Sequence, residues 1–313
     1  MQQYYGLHDV HLEGAWLAIG AFDGVHRGHQ AILRQLTAGA HAVGSPAVLL
    51  SFYPHPVDVL RGPQHSFYLT TPEEKAALVE PLGLDALVTQ PFTLEFSKTT
   101  AREFVDILVA QLGLRQLWVG QDFALGHNRE GDVATLRGYG EELGFEVHVV
   151  APVEAQGGVI SSSRIRKLLA AGEVADAADL LGRPYALRGE VEAGAGRGRT
   201  IGIPTANLKV WPQSAVPASG VYAGWATVNN RRWPAVTNIG VRPTFDEKLE
   251  APVVETHILD YDGGDFYGQA LHLEFVGRLR AEQRFDGVEA LIAQIHADIA
   301  DARRILGKAA ETA

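Results

Sequence analysis

The chain has 313 residues, 46% of them hydrophobic, and a net charge of −10. It can therefore fill two hydrophobic cores, and it is ill suited to a partner such as duplex DNA or RNA that needs many phosphates neutralised. It has no cysteine, which excludes disulfides, thiolate catalysis and cysteine-ligated zinc. The first residues show neither a basic nor an apolar leader region and no later run has membrane-spanning length, so we expect a soluble, cytoplasmic protein with small-molecule partners, no nucleic acid and no membrane.

The apolar run Trp16–Ile19 is followed by Gly-Ala-Phe-Asp-Gly-Val-His-Arg-Gly-His-Gln at 20–30 and a helix-like stretch from Ala31. That order reads as strand, glycine turn and helix start, where backbone N–H groups and the helix dipole converge on one point. His26 and His29 lie three apart, which puts both imidazoles on one side of a first helical turn. With Asp23 they point to a polyphosphate site. It is neither a P-loop, because no Lys-Ser or Lys-Thr closes it, nor a dinucleotide fingerprint, because no acidic strand end follows.

Residues 47–52 form a buried strand stopped by Pro54, His55 and Pro56. Thr70 to Lys75 open a helix with a cap, a first-turn proline and acids at the positive dipole end. A strand at 86–89, a capping box at Thr100 to Glu103, a strand at 116–120, a helix from Asp132 and a strand at 145–150 complete at least five strands with helices between them. This is the pattern of a doubly wound parallel sheet, whose ligands collect at the carboxyl ends of the strands. The loops at 23–29, 53–56 and 121–126, the last containing Asp122, are expected to share that crevice.

A fourth loop, Ser161, Ser162 and Ser163 before Arg164, Arg166 and Lys167, sets cations in a first helical turn, the wrong sign for the dipole. Two readings are open: a serine cap with solvated basic residues, or a phosphate site with hydroxyl and cationic donors. A helix over 172–184 ends in Gly-Arg-Pro, and we place the domain boundary after residue 182.

Beyond it, strand-like runs at 185–191, 220–228, 232–237, 253–259 and 270–275 alternate with turns, among them Asn229-Asn230. They indicate a small antiparallel β-barrel. A last helix at about 288–305 is expected to face the barrel with Leu291, Ile292, Ile295 and Ile299. Two spots look chemical. One is a glycine loop with Gly196, Gly198 and Arg199 leading to Pro-Thr-Ala-Asn at 204–207, where Thr205 and Asn207 offer oxygens to a hydrated magnesium ion. The other is Glu255, on spacing alone either a catalytic base or a carboxylate facing water.

Taken together, residues 20–30, 52–56, 120–126, 161–166, 196–208, 217–223, Asn-Ile-Gly-Val-Arg-Pro-Thr-Phe at 238–245, 254–257 and 280–285 resemble the bacterial bifunctional riboflavin kinase and FAD synthetase family over nearly the whole chain. The departures are Ser163 for the usual threonine and Leu125 for the usual phenylalanine. The resemblance implies an α/β nucleotidyltransferase domain over 1–182 that adenylylates FMN with ATP, and a β-barrel kinase domain over 183–313 that phosphorylates riboflavin. It also implies magnesium, with ATP, riboflavin, FMN and FAD as substrates and products. His26, His29, Ser162, Ser163 and Arg166 would then hold the triphosphate, with Gly20, Phe22, Asp23, Gly28, His55, Asp122 and Ser161 around the nucleotide or flavin. Glu255 would be the kinase base, with Thr205 and Asn207 at the metal and Gly196, Gly198, Arg199, Asn238, Arg242 and Arg280 on the ligands. Two rivals, a single-activity adenylyltransferase and a non-enzymatic flavin carrier, are disfavoured because a carrier has no use for two phosphate sites.

Overall fold

Consecutive buried residues such as Leu17, Ala18 and Ile19 require a strand covered on both faces, which a parallel sheet flanked by helices provides. The computed structural model describes residues 1–62, 66–192, 202–242, 251–264 and 266–311. Contacts divide the chain into two units, Met1–Gln64 with Thr70–Ser162 and His65–Leu69 with Ser163–Ala313.

In chain order the first unit holds β1 (Gln2–Tyr4), β2 (Trp16–Ile19), α1 (Arg27–Ala42), β3 (Ala47–Tyr53), α2 (Pro56–Arg61), α3 (Pro72–Val79), β4 (Ala86–Pro91), α4 (Ala101–Leu112) and β5 (Gln116–Gly120). There follow β6 (Ala124–Leu125), β7 (Gly131–Asp132), α5 (Val133–Leu143), β8 (Glu146–Val150), β9 (Glu154–Ala155) and β10 (Gly158–Val159). Six strands form one sheet in the order β1-β4-β3-β2-β5-β8, every pairing parallel. Phe104, Val105 and Leu108 of α4 and Leu136 of α5 cover one face; Leu33 and Leu36 of α1 with Ala76 and Val79 of α3 cover the other. The strand order reverses at β2, so the loop after β2 opens at the crevice where such sheets bind ligands. Thr71 and Thr100 close full capping boxes.

The second unit contains α6 (Ser162–Ala171), whose first residue counts with the first unit, and α7 (Val174–Leu181). Then come β11 (Tyr185–Glu192), β12 (Ala206–Val210), β13 (Gly220–Val228), β14 (Arg231–Arg242), β15 (Ala251–Ile258), β16 (Ala270–Arg280) and α8 (Val288–Glu311). The six strands close a barrel in the order β11-β12-β15-β14-β13-β16, with antiparallel pairings throughout. Asn229 and Asn230, at φ 50° and 59°, make the β13–β14 turn in the left-handed region that a two-residue hairpin needs. Helix α8 buries Ala302 and Leu306 against the barrel, with Ile299 and Ile305 beside them.

Helices α6 and α7 pack with the barrel. The Ala218 N–H donates to the Leu169 carbonyl at 2.9 Å, and the Arg278 guanidinium donates to the carbonyls of Ala171 and Ser219 at 3.2 and 2.8 Å. Besides the two-residue strands β6, β7, β9 and β10, one strand of the parallel sheet and one of the barrel went unread in the sequence. β1 is a short polar edge strand, and β12 begins inside the Pro-Thr-Ala-Asn segment.

Candidate functional site

The turn after β2 folds tightly because its residues bond inward. Phe22, Gly24 and Val25 adopt positive φ of 48°, 80° and 40°, and the Thr70 hydroxyl accepts the Gly24 N–H at 3.2 Å. The buried Asp23 carboxylate accepts the Thr70 N–H at 3.2 Å, while the Asp23 carbonyl accepts the Ser162 hydroxyl at 2.8 Å. Asp23 thus shapes the turn with its own side chain. Helix α1 starts at Arg27, four residues before the apolar pattern indicates, because His26 caps it: the His29 N–H donates to His26 Nδ1 at 3.3 Å. Accepting that bond leaves the His26 proton on Nε2. Gly28 leaves room for the His26 ring, since a Cβ there would lie a tight 3.1 Å from it.

The His26 and His29 rings stack with centroids 3.6 Å apart, and Phe22 flanks His29 at 4.6 Å. His29 Nδ1 is buried without a hydrogen-bond partner among the described residues. A lone buried ring nitrogen is costly, and a ligand oxygen would remove that cost. Burial first, then His26 and Lys75, push the His29 pKa well below the ordinary histidine value, so the ring is neutral at neutral pH. Lys75 was not foreseen as part of this site. Its Nζ donates to the Ala21 carbonyl and the Ser51 hydroxyl, each at 2.7 Å.

The other expected residues of the nucleotidyltransferase domain are placed as follows. His55 caps α2 by accepting the Val57 N–H at 3.1 Å. Asp122 is exposed, and its carbonyl accepts from Arg129 at 2.7 Å. Leu125 is buried in the core of the sheet, so this departure from the family is accommodated by packing. Ser161 is half-buried and Ser163 exposed. Within the second unit, Arg166 donates to the Phe67 carbonyl at 2.5 Å and lies over the Phe67 ring at 3.9 Å.

In the barrel, register builds the site. Asn207 pairs with Glu255, and Glu255 with Asn238, so three residues far apart in sequence form one row across β12, β15 and β14. Side chains alternate along a strand. The neighbouring Thr256 and Thr237 therefore turn to the barrel interior, where their hydroxyls lie 3.1 Å apart. On the opposite face a cavity of about 500 Å³ is lined by Thr205, Asn238, Glu255, His257, Phe285 and, from α8, Leu291 and Ile295. Leu291 and Ile295, expected to face the barrel, thus wall this cavity. A second cavity of about 370 Å³, lined by Val191, Pro204, Tyr261, Phe266 and Tyr267, also has Thr205 in its wall.

Two positioning contacts were not read from the sequence. His257 Nδ1 lies 2.7 Å from the Pro204 carbonyl; a carbonyl only accepts, so Nδ1 carries the proton and the Pro204-Thr205 peptide is held. Arg280, expected on a ligand, lines the cavity but bonds both oxygens of the buried Asp298, its Nε at 3.0 and 3.1 Å and its Nη2 at 2.8 Å. Gln294 adds a bond to Asp298 at 2.9 Å. Gly196, Gly198, Arg199 and the Arg242 side chain lie outside the described residues.

Residues 8–164 match the FAD synthetase family and residues 181–306 the riboflavin kinase family. The bifunctional riboflavin kinase/FMN adenylyltransferase of Pseudomonas fluorescens is 39% identical over 313 residues, 99% of each chain. That of Escherichia coli K12 is 37% identical over 313 residues, 98% of each. A crystal structure from Streptococcus pneumoniae, described as a macrolide-efflux protein, superposes with a TM-score of 0.87 at 31% identity, covering 96% of this chain and 98% of that one. Among the described residues no helix is long and apolar enough to cross a membrane. The two family matches in series, with relatives of the same two-part length, show that the chain belongs to the bifunctional riboflavin kinase/FMN adenylyltransferase family, transferases that phosphorylate riboflavin to FMN and adenylylate FMN to FAD.

Proposed function

We propose that the two reactions divide as the two sites do, with FMN adenylylation assigned to residues 1–182 and riboflavin phosphorylation to residues 183–313, in a cytoplasmic enzyme without nucleic-acid partners. The observation that carries the kinase half is that Thr205 borders both barrel cavities while Glu255 lines only the larger. The larger cavity, walled by Val221, Val236, Leu291, Ile295 and Phe285, suits the flat apolar ring system of riboflavin. The smaller, aromatic one suits ATP, whose γ-phosphate then meets the flavin near Thr205. The ribityl hydroxyl attacks that phosphorus, Glu255 takes the hydroxyl proton, and ADP leaves.

The donor set there fits magnesium. Thr205 and Asn207 present neutral oxygens beside the Glu255 row, and no group of three or more His, Asp or Glu side chains able to hold a metal occurs among the described residues. That combination suits an ion that keeps waters and takes substrate phosphates as ligands, so Thr205 and Asn207 would hold it. When bound, the ion neutralises charge on the transferring phosphates.

In adenylylation an FMN phosphate oxygen attacks the ATP α-phosphorus, the bond to the β-phosphate oxygen breaks, and pyrophosphate leaves. The nucleophile is already anionic, so the protein contributes position and charge stabilisation. His26 donates from Nε2 and the neutral His29 accepts or donates at its unpartnered nitrogen. Gly20, Gly28 and Phe22 shape the turn, and Ser161 is the further donor of the first unit expected for the triphosphate.

The test pairs two substitutions in the full chain with riboflavin or FMN as the supplied flavin. His29→Ala should cut FAD formation by about 10²-fold or more while FMN formation persists. Glu255→Gln should cut FMN formation by about 10²- to 10⁴-fold and spare FAD formation from FMN. Equal loss of both activities in either variant would defeat the division.

A further inference from the structure

Lys75 is half-buried, its ammonium directed inward onto the Ala21 carbonyl and onto the hydroxyl of the fully buried Ser51. These contacts do not by themselves explain a charge at this place. The Ser51 hydroxyl already donates to the Ala21 carbonyl at 3.0 Å, so that carbonyl is satisfied without the lysine. No carboxylate pairs with Nζ within 4 Å among the described residues, and Asp23 binds Thr70 instead. A buried, unpaired cation is costly, and this one sits under the turn that carries an unpartnered histidine nitrogen. Both features are relieved by one event, the arrival of an anion.

We propose that Lys75 is a positioning residue of FMN adenylylation: its ammonium clamps the Ala21 carbonyl to Ser51 and supplies, from beneath the 20–30 turn, the fixed positive charge that the ATP triphosphate meets. The inference rests on reading that turn as the triphosphate site. It gives each group a distinct task. The histidines are hydrogen-bonding groups, and the charge belongs to a lysine whose ammonium is turned inward onto Ala21 and Ser51, where its field is less screened than at an exposed surface. The groups facing His29 are His26 and Lys75, and Asp23 acts on Lys75. Burial pushes the Lys75 pKa down to about 8 against the pull of Asp23, so a bound triphosphate should raise it again.

The chain has six lysines, few enough to follow individually by NMR in the full-length protein labelled on the lysine side chains. Lys75 is assigned from the signal missing in Lys75→Met, or displaced in Ser51→Ala if that variant does not fold. Its titration near pH 8 should move up by about one pH unit or more when α,β-methylene-ATP and magnesium are added. Lys75→Met should lower kcat/KM for ATP in FMN adenylylation by about 10²-fold and leave riboflavin phosphorylation unchanged. The acid limb of its pH profile should move to higher pH, because His29 has lost a repelling charge. A residue that only props the turn would move neither the lysine titration nor the pH profile. A Lys75 signal that ignores the bound nucleotide, or wild-type adenylylation in Lys75→Met, overturns the proposal. If His29→Ala keeps full FAD synthesis, the underlying site reading has failed; if His29→Ala loses it and Lys75→Met does not, only the role of Lys75 has failed.

Discussion

Replacing Lys75 by methionine should remove activity without removing stability, and the structure gives the magnitude. A lysine whose pKa falls from the ordinary 10.5 to about 8 is disfavoured in its charged form by about 3 kcal/mol, at about 1.4 kcal/mol per pH unit. Between those two values the unfolded chain holds the proton more often than the folded one, so folding stability rises with pH across that window and the penalty is in full force below pH 8. Methionine keeps the unbranched stem and has no charge. At pH 7 it gives up two hydrogen bonds from a charged donor, worth about 1.5 kcal/mol each at the low end, and escapes the penalty, while Ala21 and Ser51 keep the bond they make to each other. The balance is a first unit about as stable as the parent, whose stability no longer climbs between pH 8 and 10.5. Urea unfolding reads this if Trp211, Trp225 and Trp233 are changed to phenylalanine in both proteins, leaving Trp16 and Trp118 of the first unit as reporters. A loss of about 2 kcal/mol or more at pH 7, with a parent whose stability is flat above pH 8, would refute the reasoning and make Lys75 an ordinary structural anchor.

Other outcomes follow from the barrel and from the division of the chain. His257→Phe removes the donor to the Pro204 carbonyl, so it should raise KM for ATP in riboflavin phosphorylation by about tenfold; an unchanged KM would mean that the Pro204-Thr205 peptide holds itself. EDTA should stop FMN formation and added magnesium restore it, as expected if neutral Thr205 and Asn207 serve a phosphate-bound ion; activity persisting in excess chelator would remove the metal from the scheme. A fragment beginning at Ser163 should bind riboflavin and melt well above one beginning at Arg183, because α7 buries Val174, Ala177, Leu180 and Leu181; equal melting would show that α6 and α7 contribute nothing to the barrel.

How much of this was legible in the sequence depended on whether a residue's role is set by its near neighbours or by distant ones. The parallel strands were plain because burial on both faces leaves unbroken apolar runs, and the Thr71 and Thr100 caps because their partners lie three residues on. The 20–30 turn was legible for the same reason: glycines, capping imidazole and helix start are contiguous. Edge strand β1 carries Gln-Gln-Tyr and no such run. Strand β12 was hidden because its first residues also carry chemistry, and a Pro-Thr-Ala-Asn segment has no apolar alternation to betray pairing.

The deeper misses are all long-range. Lys75 follows two glutamates at the start of a helix, where a lysine ordinarily faces water; only the packing of α3 under the β2 loop turns it inward, 54 residues from the carbonyl it meets. The pairing of Arg280, which lines the cavity, with Asp298 of α8 is set by a residue 18 positions on, and the bond between His257 and the Pro204 carbonyl by strand register. The family pattern supplies the residues expected to touch substrates, since those recur as motifs. It does not supply the residues that hold them in place, because any group able to reach the same carbonyl or carboxylate would serve. Those holding contacts tune what a motif does, and Lys75 illustrates why only the packing sets them: the same Gly-Ala-Phe-Asp turn over an aliphatic residue would keep its shape through Ser51 and lose the charge proposed to meet the triphosphate.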